Sequence, residues 1–113
     1  MDLKTFIGQK CIVGFKGKDI RELERTYKKY PFGGVALFER NYENKEQLIK
    51  LINEIKSLNH DVGLFIAVDH EGGSVQRFKK DFTLIPSLKK IGDLFQKKGQ
   101  RPVEEIFKTI AKE

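Results

Sequence analysis

The sequence predicts an α/β fold in which short parallel strands alternate with helices, and three features predict it. Three apolar runs without polar alternation, at residues 11–15, 35–38 and 64–68, read as strands buried on both faces. Two intervening stretches carry helical signals. The order strand, helix, strand, helix, strand over so short a chain requires right-handed parallel crossovers. Such a series belongs either to a doubly wound sheet or to a segment of a (β/α) barrel.

The first run, Cys11 to Phe15, is bounded by Gly14 and Gly17, and its apolar setting makes Cys11 a small buried hydrophobe rather than a reactive thiol. Asp19 is placed to N-cap a polar helix over residues 20–29, which Tyr30-Pro31 stops because a residue before proline avoids the α region. Gly33-Gly34 then leads into the second strand. The next helix has Asn44 as N-cap and Gln47 as its capping-box partner, with Leu48, Leu51, Ile52, Ile55 and Leu58 on one face. It is expected to end near Asn59.

The third strand, residues 64–68, delivers Asp69 at its carboxyl end, where α/β proteins place function. Residues 71–86 read as an extended loop containing Gly72-Gly73, followed by a helix over residues 87–96 and a turn at Gly99. The final stretch sets Val103, Ile106, Phe107 and Ile110 at helical spacing, an amphipathic helix whose partner is not evident in the sequence. Three strands cannot close a barrel, so two sheet edges are expected to stay open and to invite self-association.

Composition narrows the function classes. The chain has 113 residues, of which 39% are hydrophobic and 34% charged, as in a folded domain of modest core rather than a disordered chain. The formal charge of +6 comes from lysine doublets such as Lys28-Lys29 and Lys89-Lys90, spread along the chain and without an aromatic-basic recognition motif. No nucleic-acid partner is therefore expected. No apolar run of about 18 residues is present, and the amino terminus lacks the apolar stretch of a leader, so no membrane partner and a cytoplasmic location are expected. Neither GxGxxG nor a P-loop occurs, and His60, His70 and Glu71 lack metal-ligand spacing, so no cofactor and no metal are expected.

The densest polar feature is Val68-Asp69-His70-Glu71-Gly72-Gly73-Ser74-Val75-Gln76-Arg77-Phe78. Asp69 can accept two hydroxyl hydrogen bonds, Arg77 offers a fork of donors, and the glycines permit turns and close approaches that a side chain would block. Together they suit a polyhydroxylated ligand. The plainer alternative is an aspartate that caps a turn and an arginine that pairs with it.

The ordered blocks GFKG, YPFGGVALFERNYENKEQL, FIAVDHEGGSVQRF and FTLIPS resemble the opening of the family 3 glycoside hydrolases, and their wording is most similar to the bacterial β-N-acetylglucosaminidases of peptidoglycan recycling. The resemblance covers nearly the whole chain. It implies a partial (β/α)8 TIM barrel, roughly the first three βα units, with residues 1–113 an incomplete amino-terminal portion of the family's domain. It also implies that Asp69 and Arg77 contact hydroxyls of an N-acetylglucosamine-containing saccharide, with Glu71, Gly72 and Gly73 supporting the loop. His70 stands where glutamine is frequent and Ser74 where arginine is common.

The family's Lys-His pair, its histidine-containing acid/base loop and its nucleophilic aspartate have no counterpart up to Glu113. Retaining hydrolysis needs a nucleophile and an acid/base on opposite sides of the anomeric carbon. Asp69 and Glu71 share one short loop and would approach a sugar from the same side. The expectation is a sugar-holding portion without turnover of its own, or alternatively a non-catalytic saccharide-binding or assembly module.

Overall fold

The computed structural model describes residues 1–59 and 61–113, which divide into two compact units, Met1–Val68 and Asp69–Glu113. The first unit holds a three-stranded sheet in the order β1 (Ile12–Val13), β2 (Gly34–Leu37), β3 (Phe65–Val68), parallel throughout. Ile12 pairs with Gly34, and the β2–β3 register runs from Gly34 opposite Phe65 to Leu37 opposite Val68. Helices α1 (Leu3–Gly8), α2 (Arg21–Lys29) and α3 (Lys45–Lys56) complete it. The predicted alternation of strands and helices is thus present, with α1 an additional element.

The core of this unit is where the apolar periodicity places it. Phe15, Leu23, Phe32, Val35, Leu37, Leu48, Leu51 and Ile55 are buried, and the Tyr27 ring meets Phe32 edge-on with centroids 5.0 Å apart. Helix α3 has the expected N-cap, the Asn44 side chain accepting the Gln47 N–H at 2.8 Å, but the expected capping box is shifted: Gln47 Oε1 accepts the N–H of Glu43, one residue before the cap, at 3.0 Å, rather than that of Asn44. The cap of α2 falls one residue later than Asp19, on Ile20. Asp19 instead accepts the Arg21 N–H at 3.0 Å and pairs with its guanidinium at 2.7 Å, which holds the carboxyl below its ordinary value.

Two sequence expectations are corrected here. Cys11 is exposed, because the strand begins after it at Ile12 and the residue belongs to the turn that closes α1, with Sγ 3.8 Å from the Ile7 carbonyl. The third apolar run does form β3, but it is an edge strand: Phe65 is 75% exposed, and Ala67 and Val68 are also exposed. An apolar run reports what a strand can bury on two faces; β3 has a sheet neighbour only in β2.

The second unit consists of a hairpin, β4 (His70–Gly72) with β5 (Val75–Gln76), and two helices, α4 (Leu88–Lys98) and α5 (Gln100–Lys112). The expected loop at residues 71–86 is therefore a hairpin followed by an irregular segment. The amphipathic helix α5 finds its partner in α4, across Gly99, whose φ of 78° reverses the chain. Ser87 caps α4, its side chain accepting the Lys90 N–H.

In the first unit the carboxyl ends of β1 and β2 are joined by Asn41, which lies in a 3-10 turn (Glu39–Asn41) and is 0% exposed. Its Oδ1 accepts the Phe38 N–H at 2.9 Å, and its Nδ2 donates to the carbonyls of Phe15 at 3.1 Å and Gly17 at 2.7 Å. Asn41→Ala leaves these buried groups without partners and is expected to lower stability by about 2–4 kcal/mol. Asn41→Asp keeps the acceptor but loses both donors and buries a charge, so it is expected to cost at least as much; guanidinium denaturation midpoints of the variants check both outcomes.

Candidate functional site

The VDHEGGSVQR block folds into the β4–β5 hairpin because its centre can turn only where glycine stands. Gly72 and Gly73 take φ values of 85° and 62°, in the left-handed region. A Cβ on Gly72 would lie 2.3 Å from the Pro86 carbonyl oxygen, and one on Gly73 would lie 2.9 Å from the Ser87 Cβ. The Gly73 N–H donates to the Ile85 carbonyl at 2.8 Å, so the turn is fastened to the segment that leads into α4.

Gln76 supplies the remaining fastening. It is 4% exposed, and its Nε2 donates to the carbonyls of Phe78 at 3.0 Å and Thr83 at 2.8 Å while its Oε1 accepts the Ile85 N–H at 2.9 Å. One carboxamide thus serves the irregular stretch after β5, where no ladder is available to do so. Phe78 and Ile85 are buried, and the Phe82 ring meets Phe78 at a tilt and His70 edge-on, with centroids 5.7 Å and 6.3 Å away.

Asp69 and Arg77 form the mouth of the hairpin, one step beyond the His70–Gln76 pair. The Arg77 N–H donates to the Asp69 carbonyl at 3.3 Å, and Arg77 Nη2 donates to Asp69 Oδ2, also at 3.3 Å. The two charges lie side by side at the protein surface, the aspartate side chain 57% exposed and the arginine 36%. An exposed pair of this kind contributes about 0–1 kcal/mol, so a ligand can exchange it at little cost. The pair presents carboxylate acceptors next to guanidinium donors, the complement of neighbouring hydroxyls.

The structure places Asp69 and Arg77 together at the mouth of the hairpin and Gly72 and Gly73 at its turn. Glu71 is exposed, and among the described residues no hydrogen bond to its carboxylate is seen, while Gln76 fastens the segment after the hairpin. Gln76 went unselected because an amide in a strand carries no chemical signature. The signal available was its place in the block, between the hairpin turn and Arg77. His60 lies outside the described residues, and among those described no three His, Cys, Asp or Glu side chains gather as metal ligands. No helix among the described residues is long and apolar enough to cross a membrane.

The family model described as "Glycosyl hydrolase family 3 N terminal domain" matches residues 3–113. Among curated relatives, a beta-hexosaminidase of Hydrogenovibrio crunogenus is 46% identical over 83 residues, covering 71% of this chain and 23% of the relative. A beta-hexosaminidase of Shewanella frigidimarina is 55% identical over 56 residues, covering 50% and 16%. Among solved structures, NagZ from Neisseria gonorrhoeae in complex with N-trifluoroacetyl-D-glucosamine superposes with a TM-score of 0.72 at 38% identity, over 83% of this chain and 28% of that one. A glycoside hydrolase family 3 β-N-acetylglucosaminidase from Paenibacillus sp. str. FPU-7 gives 0.75 at 30% identity, over 81% and 18%. The three parallel strands are thus those of a TIM-barrel domain, and the chain spans about a fifth of the length of these curated relatives.

Gly72→Ala forces a Cβ into the Pro86 carbonyl at a positive φ, and is expected to destabilise the second unit by about 2–4 kcal/mol. Gly63→Ala, with no atom within 4 Å of its Cβ and no positive φ, serves as the control and is expected to be near neutral. Hydrogen exchange at the amides of β5 reads the difference.

Proposed function

The chain belongs to the glycosyl hydrolase family 3 N-terminal domain family, and from that premise we propose that it is the sugar-holding portion of a β-N-acetylglucosaminidase. In this reading Asp69 and Arg77 bind hydroxyls of a terminal, non-reducing β-linked N-acetylglucosamine. The observation that carries it is the hairpin mouth itself: a surface carboxylate and guanidinium linked to each other by a main-chain and a side-chain hydrogen bond, next to the buried Gln76 carboxamide that fastens the following segment. Gly72 and Gly73 support the same reading by admitting the tight turn between the two strands.

Hydrolysis in the complete enzyme is retaining, through a covalent glycosyl intermediate, and the groups that form and release it are not among these 113 residues. Asp69 and Arg77 hold the sugar; they do not attack the anomeric carbon. The relatives called beta-hexosaminidase and the neighbour solved with N-trifluoroacetyl-D-glucosamine support an N-acetylated amino sugar as the ligand. A role in peptidoglycan recycling is the setting that the sequence blocks favour.

A second reading is favoured by one observation, the open sheet. Ile12 on edge strand β1 is 58% exposed and Phe65 on β3 is 75% exposed. An apolar cavity of about 680 Å³, lined by Leu3, Ile7, Cys11, Val13, Tyr30 and Phe32, opens beside β1. In that reading the chain is an assembly module in which a second copy covers these surfaces, and the sugar contact is retained without catalysis.

Calorimetry of the full chain with N-acetylglucosamine tests the first reading: a weak, saturable heat is expected, reduced at least about tenfold in Asp69→Ala. Absence of heat from folded protein sinks it, and so does turnover of a chromogenic N-acetylglucosaminide that Asp69→Ala abolishes. Sedimentation decides the second reading; concentration-dependent association weakened by Phe65→Lys is expected, and a compact monomer at all concentrations removes it.

A further inference from the structure

Residues 79–86, between β5 and α4, have no ladder to hold them, and they turn at Asp81, whose φ of 66° lies in the left-handed region that aspartate tolerates better than most residues. Beyond the turn, Thr83 meets a residue 30 positions further along the chain, directly after α5. The Glu113 carboxylate takes both donors of that threonine: Oε2 accepts the Thr83 N–H at 2.9 Å, and Oε1 accepts its hydroxyl at 2.7 Å. Both residues belong to the second unit, and the hairpin site assigns neither of them a part.

Thr83 is held from its other side as well. Its carbonyl accepts Gln76 Nε2 at 2.8 Å, and Gln76 stands directly before Arg77. Two residues after Thr83, the Ile85 N–H donates to Gln76 Oε1 at 2.9 Å and the Ile85 carbonyl accepts the Gly73 N–H at 2.8 Å. The segment is therefore a strap, tied to Glu113 through Thr83 and to the hairpin through Thr83 and Ile85. Arg77, next along the chain from Gln76, closes the mouth with its N–H on the Asp69 carbonyl.

The acids within α5 do nothing comparable: Glu104 bonds Gln100 and Glu105 pairs with Lys108, each inside the helix. Two donors on two oxygens of one carboxylate fix the strap in one orientation. A glutamine could not do the same, because its amide nitrogen would face a donor with hydrogens of its own. Both partners are exposed, so the clasp contributes little to global stability. Its effect is local, on a segment without regular pairing.

We propose that Glu113 is a positioning residue for the Asp69–Arg77 pair, acting through Thr83 and Gln76. The proposal rests on the sugar-holding reading and deepens it, because it makes the order of the sugar-binding hairpin depend on the seat of α5. Releasing Thr83 frees one end of the strap, and Gln76 exchanges a fixed acceptor for a mobile one. The mouth must then be reordered when sugar binds, which lowers affinity without removing any group that touches the sugar.

The test uses the full chain, calorimetry with N-acetylglucosamine, and hydrogen exchange at single amides. In Glu113→Gln the affinity is expected to fall about three- to tenfold, the worth of one net hydrogen bond, and the Arg77 amide to exchange faster by a similar factor. Thr83→Val keeps the N–H and loses the hydroxyl, so a smaller loss of the same kind is expected. Glu105→Gln removes the same charge from α5 without touching Thr83 and is expected to match the wild type. An unchanged Arg77 amide in folded Glu113→Gln overturns the proposal. Faster exchange that extends equally through α4 and α5 also overturns it, since that marks a brace for the whole unit. If Glu113→Gln does not fold, Thr83→Val decides on the same two readouts. If the wild type binds no N-acetylglucosamine, the sugar-holding reading fails, and exchange at Arg77 still decides whether Glu113 orders the mouth.

Discussion

The buried Asn41 carboxamide is the constraint on which the first unit depends. Parallel strands end with backbone groups pointing past the sheet, and the chain must then turn back without a ladder to satisfy them. Asn41 meets that requirement with every hydrogen-bonding position of its Nδ2 and one lone pair of its Oδ1. Its own carbonyl accepts from Gln47 Nε2 at 3.0 Å, and the same Nε2 donates to the Lys18 carbonyl at 2.7 Å. The end of β1, the turn after β2 and the start of α3 are therefore one hydrogen-bonded assembly.

The second unit repeats the solution with a different residue. Gln76 is buried and bonded to Phe78, Thr83 and Ile85, again where regular pairing stops and an irregular segment must be held. A carboxamide suits both places because it donates and accepts without a charge to desolvate. A carboxylate could not have served the carbonyls, and a hydroxyl has too few donors. The consequence for the site is a division of labour: the uncharged amides inside carry the structure, and the charges of Asp69 and Arg77 remain outside with little structural burden.

What the sequence disclosed follows the same division. Helix α3, strands β2 and β3, and the position of Asp69 directly after β3 were legible because periodicity, caps and apolar runs are local signals. Asp69 and Arg77 were legible as a pair of complementary polar groups, and Gly72-Gly73 as a turn. The exposure of Cys11 and of Phe65 was not, because an apolar run states which surface could be buried and leaves unstated whether a neighbour covers it. Asn41 and Gln76 were also hidden: their partners are backbone groups up to 26 residues away, and nothing in the residue type distinguishes a buried amide from an exposed one. Both lie inside the motif blocks, in LFERN and VQR, which is where a signal existed.

The energetics of the exposed pair explain why such a site can be open and still ordered. A buried Asp69–Arg77 pair would hold the hairpin closed, and a sugar would have to displace it at the cost of leaving a desolvated charge behind. At the surface the pair is already hydrated and loosely coupled, so replacing it with ligand hydroxyls exchanges one set of hydrogen bonds for another of similar strength. Affinity then depends on how little the donors and acceptors must be reordered, and that is fixed beneath them by Gln76 and by the two left-handed glycines.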